Sequence, residues 1–255
     1  MFGLEMWQFL AAVAITGFAG FVKGAVGFAM PMIMISAFGS IMTAPVALAA
    51  MILPTLITNI QQAFREGVGP AIASTRKFRL HIAMVALFIC VSAGFAASIP
   101  QWVMYALLGV PITAFALWQL SGRPLVLNLH HRKRAEAVSG IIGGLYGGVS
   151  GIWGPPLIVY LLSIGTEKRE QVRVQGVVFL IGAVVLTVAH LFSGVLNAQT
   201  LPLSAVLCIP AIIGMKLGFA MQDRLDVAQF RRWTLVLLIL TGLNLIRRAL
   251  EIWSL

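Results

Sequence analysis

Gly20-Phe-Val-Lys23-Gly24-Ala-Val-Gly27-Phe-Ala-Met-Pro31 lies within an apolar stretch, and it has a twin. Gly144, Gly148, Gly151 and Pro155 repeat the spacing of Gly20, Gly24, Gly27 and Pro31, 124 positions further on. Gly94-Phe-Ala recurs as Gly218-Phe-Ala at the same offset. Glycine and proline are the residues that break helices. A chain that duplicates its breakers inside membrane-length apolar segments reads as two related halves, residues 1–124 and 125–255, forming one transmembrane domain. The breaks are where a substrate site is expected.

Composition sets the class. Of the 255 residues, 60% are hydrophobic and 10% charged, with a mean hydropathy of +0.96. Soluble domains carry about 25% charged residues, so this is expected to be an all-helical, polytopic membrane protein. A formal charge of +10 invites a nucleic-acid partner. The basic residues instead sit in short connections between apolar spans, where they set topology and meet anionic headgroups. Glu5 stands where a signal peptide needs positive charge, so the first span is expected to be retained. Cys90 and Cys208 read as small buried apolar residues, and no metal or redox spacing surrounds them.

Eight apolar segments can be drawn, at about 6–38, 43–64, 80–98, 102–121, 136–164, 172–193, 201–222 and 228–247. The first and fifth are longest and carry the duplicated breaks. The basic residues cluster as Arg65, Arg76, Lys77 and Arg79; Arg123, Arg132, Lys133 and Arg134; Lys168, Arg169 and Arg173; and Arg224, Arg231 and Arg232. If all eight segments crossed, these clusters would fall on both faces. If the first and fifth are re-entrant hairpins, 14 of the 18 basic residues share the cytoplasmic face. Each half is then one broken hairpin plus three spans, and the odd number inverts the second half. Arg247 and Arg248 become exceptions at an outer C-terminus. The rival is a pair of long, broken helices that span fully.

A helix interrupted in a membrane leaves backbone groups that lipid cannot satisfy, so they must be buried in protein or line a polar cavity. Half-helix N-termini favour an anion. Close helix packing explains single glycines equally well, but packing alone does not require the matching proline. Lys23 beside the first break can add positive charge, or snorkel to the interface as Lys216 is expected to. Its repeat partner, Gly147, has no charge. Asn59, Gln61, Gln62 and Gln175 can bond a substrate or neighbouring helices, and Trp153 can wall a pocket or simply pack. The candidate binding set is Lys23, Gly24, Gly27, Pro31, Asn59, Gly148, Gly151, Trp153, Pro155 and Gln175.

The eight acids, Glu5, Glu66, Glu136, Glu167, Glu170, Asp223, Asp226 and Glu251, lie at segment ends or in connections. No mid-membrane carboxylate offers a proton relay, which leaves His81, His190 or the substrate itself for any proton coupling. The membrane potential contributes about 2.3 kcal/mol per charge per 100 mV to anion export. A competing motif, Gly148-Val-Ser150-Gly151 with Ala189-His190, matches the GxSG and base of intramembrane serine proteases. Its first-half copy has Val26 in place of the serine, and His190 is expected nearer the outer surface than Ser150. A lipid-headgroup enzyme lacks a metal or carboxylate cluster.

Taken together, the two tips, Gly20 to Pro31 and Gly144 to Pro156, the Gly214-x3-Gly218 stretch and the duplicated layout resemble the sulfite exporter TauE/SafE family. The resemblance implies a bacterial inner-membrane permease for small sulfur-containing or carboxylated anions. In such a carrier the anion binds between the tips near the midplane, and one half rocks against the other. A channel-like facilitator is the alternative. Expected partners are a small anion and the lipid bilayer, with a homodimer as a further option; no cofactor and no nucleic acid are expected.

Overall fold

The computed structural model describes residues 3–96, 98–122, 131–221 and 227–254. Arg123, Asp223, Arg224 and Asp226 lie outside the described residues. Every regular element among the described residues is α-helical: α1 Met6–Val26, α2 Met30–Phe38, α3 Ala44–Ala63, α4 Val68–Lys77, α5 Arg79–Ala93 and α6 Gln101–Leu120, then α7 Arg132–Ser150, α8 Gly154–Ser163, α9 Lys168–Phe192, α10 Leu201–Met221 and α11 Val227–Trp253. Five of them, α1, α3, α6, α9 and α10, contain stretches long and apolar enough to cross a membrane. Shorter apolar helices are α5 and α8. A short amphiphilic helix, α4, occupies the first basic connection.

The first and fifth apolar segments are each split in two. Helix α1 ends where Gly27 turns left-handed at φ 89°, and α7 ends where Gly151 does so at φ 71°. Each of these glycine N–H groups donates 2.7 Å back into its own helix, to Lys23 O in one case and Gly147 O in the other. The prolines then sit in the first turn of α2 and α8, where a missing N–H breaks no helical bond. Ala29, just before α2, is the one non-glycine with positive φ among the described residues, at 77°. A side chain there costs about 1–2 kcal/mol.

Side-chain contacts show where the short helices lead. Gln8, near the start of α1, donates to the Ile41 carbonyl just past α2, at 2.7 Å. The end of α2 therefore lies beside the start of α1. At the other break, Tyr160 near the end of α8 stacks on His81, with ring centroids 6.3 Å apart. His81 in turn bonds Ser139 near the start of α7, with Nδ1 and Oγ 2.9 Å apart. The end of α2 is also held by Tyr105 OH on Met42 O, by Asn244 on Ser40 Oγ, and by Arg248 on the Gly39 carbonyl. Arg248 is thus occupied locally, and its guanidinium also lies over the Tyr105 ring. At the opposite end of the bundle, Lys77–Glu170 and Arg173–Glu66 ion pairs join the 65–79 and 165–173 connections.

Large apolar side chains cover the outside, with Phe192 89% exposed. Exposed tryptophans sit towards helix ends: Trp7, Trp102 and Trp253 at one end of the bundle, Trp118 and Trp233 at the other. Indoles favour the headgroup level at both membrane surfaces. Cys90, expected to be buried, is instead exposed on the outer face of α5. Its small apolar body needs no burial in a protein whose surroundings are lipid.

Backbones approach closely along several seams, among them Gly109 of α6 against Gly242 of α11, and two of the seams use the duplicated glycines. A Cβ at Gly20 of α1 would lie 2.5 Å from the Ala211 carbonyl oxygen of α10. One at Gly144 of α7 would lie 2.7 Å from that of Val85 on α5. Gly24 faces Met215 and Gly218, and Gly148 faces Ile89 and Ser92. The small-residue packing reading therefore holds for these glycines.

Candidate functional site

The two breaks meet at one cavity of about 30 Å³. The first contributes Lys23, Phe28, Ala29, Pro31 and Met32; the second contributes Gly151, Ile152, Trp153, Gly154 and Pro155. Thr55 and Asn59 of α3, Phe115 of α6, Ile158 of α8 and Phe179 of α9 complete the lining. Thr55 is the twelfth of 20 residues in α3 and Phe179 the twelfth of 25 in α9. The cavity therefore sits midway along the helices that cross beside it. A volume of about 10–15 Å³ on this scale holds one water, so the chamber suits a group only a few atoms across.

Lys23 is the one charged residue in that lining. It is 1% exposed, so it does not snorkel. Its Nζ donates to Thr58 Oγ1 at 3.0 Å and to Asn59 Oδ1. No carboxylate pairs with it among the described residues. Asn59 is fixed in turn, its amide donating to the Phe179 carbonyl at 2.9 Å. A buried ammonium held only by neutral acceptors has no counter-charge of its own, and its charged form costs several kcal/mol when nothing compensates it.

Several backbone groups at the breaks have side-chain partners. Gln62 donates to the Gly27 carbonyl at 2.9 Å. His190 Nε2 lies 2.9 Å from the Gly148 carbonyl oxygen, so Nε2 carries the proton and Nδ1 accepts from Ser193. Ser150 Oγ accepts the Ile152 N–H at 3.1 Å and donates to the Tyr146 carbonyl at 2.7 Å. His190 therefore sits beside the second break, which corrects the expected separation in depth. The reason is that the 19-residue α7 carries its tip deep enough to meet the far end of α9. Yet His190 presents an N–H there rather than a lone pair, and it makes no hydrogen bond with Ser150 among the described contacts. Ser150 acts as a cap for the break.

Trp153 is 3% exposed and meets Phe179 edge-on, with centroids 6.4 Å apart. Its indole lies in a cradle of Gly143, Gly147 and Gly182; a Cβ at Gly182 would come within 2.6 Å of Cε2. Of the ten expected binding residues, Lys23, Pro31, Asn59, Gly151, Trp153 and Pro155 line the cavity. Gly24 and Gly148 lie in the helix seams, Gly27 turns the chain, and Gln175 is buried on α9 outside the lining. Thr55, Phe115 and Phe179 were not expected. Thr55 had a signal: with Thr58, Asn59 and Gln62 it forms a polar stripe at helical spacing on one face of α3.

The chain is 31% identical over 121 residues to a protein of Cupriavidus necator named probable sulfite/organosulfonate exporter TauE. That match covers 46% of this chain and 46% of the relative, so the chain spans about half the length of the curated relative it matches. No solved structure matches. The family described as Sulfite exporter TauE/SafE matches residues 12–245, nearly the whole chain, and the chain belongs to that family.

Proposed function

We propose that this protein is a secondary transporter of small anions, such as sulfite or a related sulfur-containing or carboxylated anion, in a bacterial inner membrane. The observation that carries the reading is Lys23: a buried basic residue with no carboxylate paired to it among the described residues, in a cavity formed by two helix breaks. The relative's name points to the same class of substrate. Binding would compensate the cation, and the membrane potential would favour exit of the anion.

The transport fold is two inverted repeats, residues 1–124 and 125–255, each a re-entrant hairpin followed by three spans. Several observations support this. Shifting α1, α2, α3, α5 and α6 by 124 positions brings them onto α7, α8, α9, α10 and α11. The α1–α10 seam then corresponds to the α7–α5 seam. The base of the first hairpin lies with residues 8, 41 and 105, and the base of the second lies with His81 and Ser139. The ion-paired basic connections share the second end, which would face the cytoplasm.

Counterflow in proteoliposomes tests the reading. Preloading with sulfite should accelerate uptake of labelled sulfite from the other side. Flux that never saturates would replace the carrier by a channel-like facilitator, and no anion flux at all would end the proposal. A C-terminal reporter that reads cytoplasmic would overturn the topology while leaving transport standing.

A further inference from the structure

One hydroxyl in the cavity has incomplete bonding. Thr55 is 1% exposed, lines the chamber, and its Oγ1 has no hydrogen-bond partner. Buried hydroxyls are almost always satisfied. A mid-helix threonine commonly bonds the carbonyl four residues back, as Thr58 does to Pro54 at 2.7 Å.

Lys23 is also incomplete. An ammonium carries three N–H bonds, and two go to Thr58 and Asn59. Thr58 spends its hydroxyl on the Pro54 carbonyl, and one of the two Asn59 amide N–H bonds goes to the Phe179 carbonyl. They hold the ammonium in place. Some backbone donors at the tips are missing or already used. Pro31, Pro155 and Pro156 have no N–H, and those of Gly27, Gly151 and Ile152 are taken. Lys23, Thr55 and the second amide N–H of Asn59 are left as side-chain donors, together with the Trp153 Nε1–H, which has no partner among the described residues and lies against Gly182.

We infer that Thr55 is a substrate-binding residue: its hydroxyl donates to one oxygen of a compact, singly charged oxyanion while the remaining N–H of Lys23 holds another. This rests on the cavity being the transport site. A monoanion leaves the buried pair neutral, whereas a dianion leaves a net negative charge out of water, which is costly. No second cation lines the chamber to offset it.

Methanesulfonate and sulfate are nearly the same size and differ by one charge, so they make the test. Titration calorimetry on the purified full-length protein should show methanesulfonate binding at least tenfold more tightly than sulfate. Thr55→Val, similar in shape but lacking the hydroxyl, should weaken methanesulfonate roughly tenfold or more. Thr55→Ser should restore most of the affinity. If the valine variant does not fold, Thr55→Ala removes the same hydroxyl and takes its place. Unchanged affinity in the folded valine or alanine variant overturns the role of Thr55. Sulfate binding as tightly as methanesulfonate overturns the charge selection. If Lys23→Met also binds normally, or the wild type binds neither anion, the transport-site reading itself fails.

Discussion

At the first break, position 23 is a lysine and position 29 an alanine; at the second, the matching positions 147 and 153 are a glycine and a tryptophan. The backbones around them run alike, with the same glycine turn and the same 2.7 Å capping bond. One break supplies a basic side chain, and its alanine lines the cavity beside it. The other supplies an aromatic wall, and its glycine makes room for the indole. On the proposed reading, the two breaks divide two tasks that a single anion site needs: attraction, and exclusion of the water that would screen it.

This division can be broken at either side. Lys23→Met should have the largest effect. Losing one partner of a buried ion pair costs about 3–5 kcal/mol, so anion affinity measured by calorimetry should fall at least ~100-fold. Moving the cation across, Lys23→Gly with Gly147→Lys, should not restore it. A Cβ at position 147 already meets the Trp153 ring at 3.1 Å. Next comes Gly182→Ala, which pushes a methyl into the indole. Thermal unfolding in detergent should show a loss of about 1–3 kcal/mol, partly recovered when Trp153→Phe is added. Ser150→Ala strands the Ile152 N–H and should cost about 1–2 kcal/mol, with transport close to the parent rate. A collapse of transport in that variant would mean the serine does more than cap. Smallest is Ala29→Gly, which relieves the left-handed alanine and should gain about 1 kcal/mol in the same unfolding assay.

Much of this was readable in advance because helix breakers act locally. Gly27, Gly151, Pro31 and Pro155 act within one turn of themselves, so their spacing alone located both interruptions. Lys23 was conspicuous because charge is rare inside an apolar segment. What one position in a line cannot show is which face of a helix looks inward. Gly24 and Gly148 belong to the same motif as Gly27 and Gly151, yet they face neighbouring helices. Phe115 and Phe179 are ordinary apolar residues until α6 and α9 are brought against the tips. His190 was misplaced because the reach of α7 depends on tertiary packing. The length of its apolar run does not reveal that reach.

The two glycine seams also decide what can move. Helix α1 is stitched to α10, and α7 to α5, with backbones too close for even a methyl group between them. Each stitch joins one sequence half to the other. Swinging residues 1–124 away from 125–255 as solid blocks would tear both stitches at once. A third seam, Gly109 of α6 against Gly242 of α11, joins the halves in the same way, so a motion that kept the seams intact would carry each stitched pair as one piece. In mechanical terms the molecule resembles two interlocked clasps more than two facing doors.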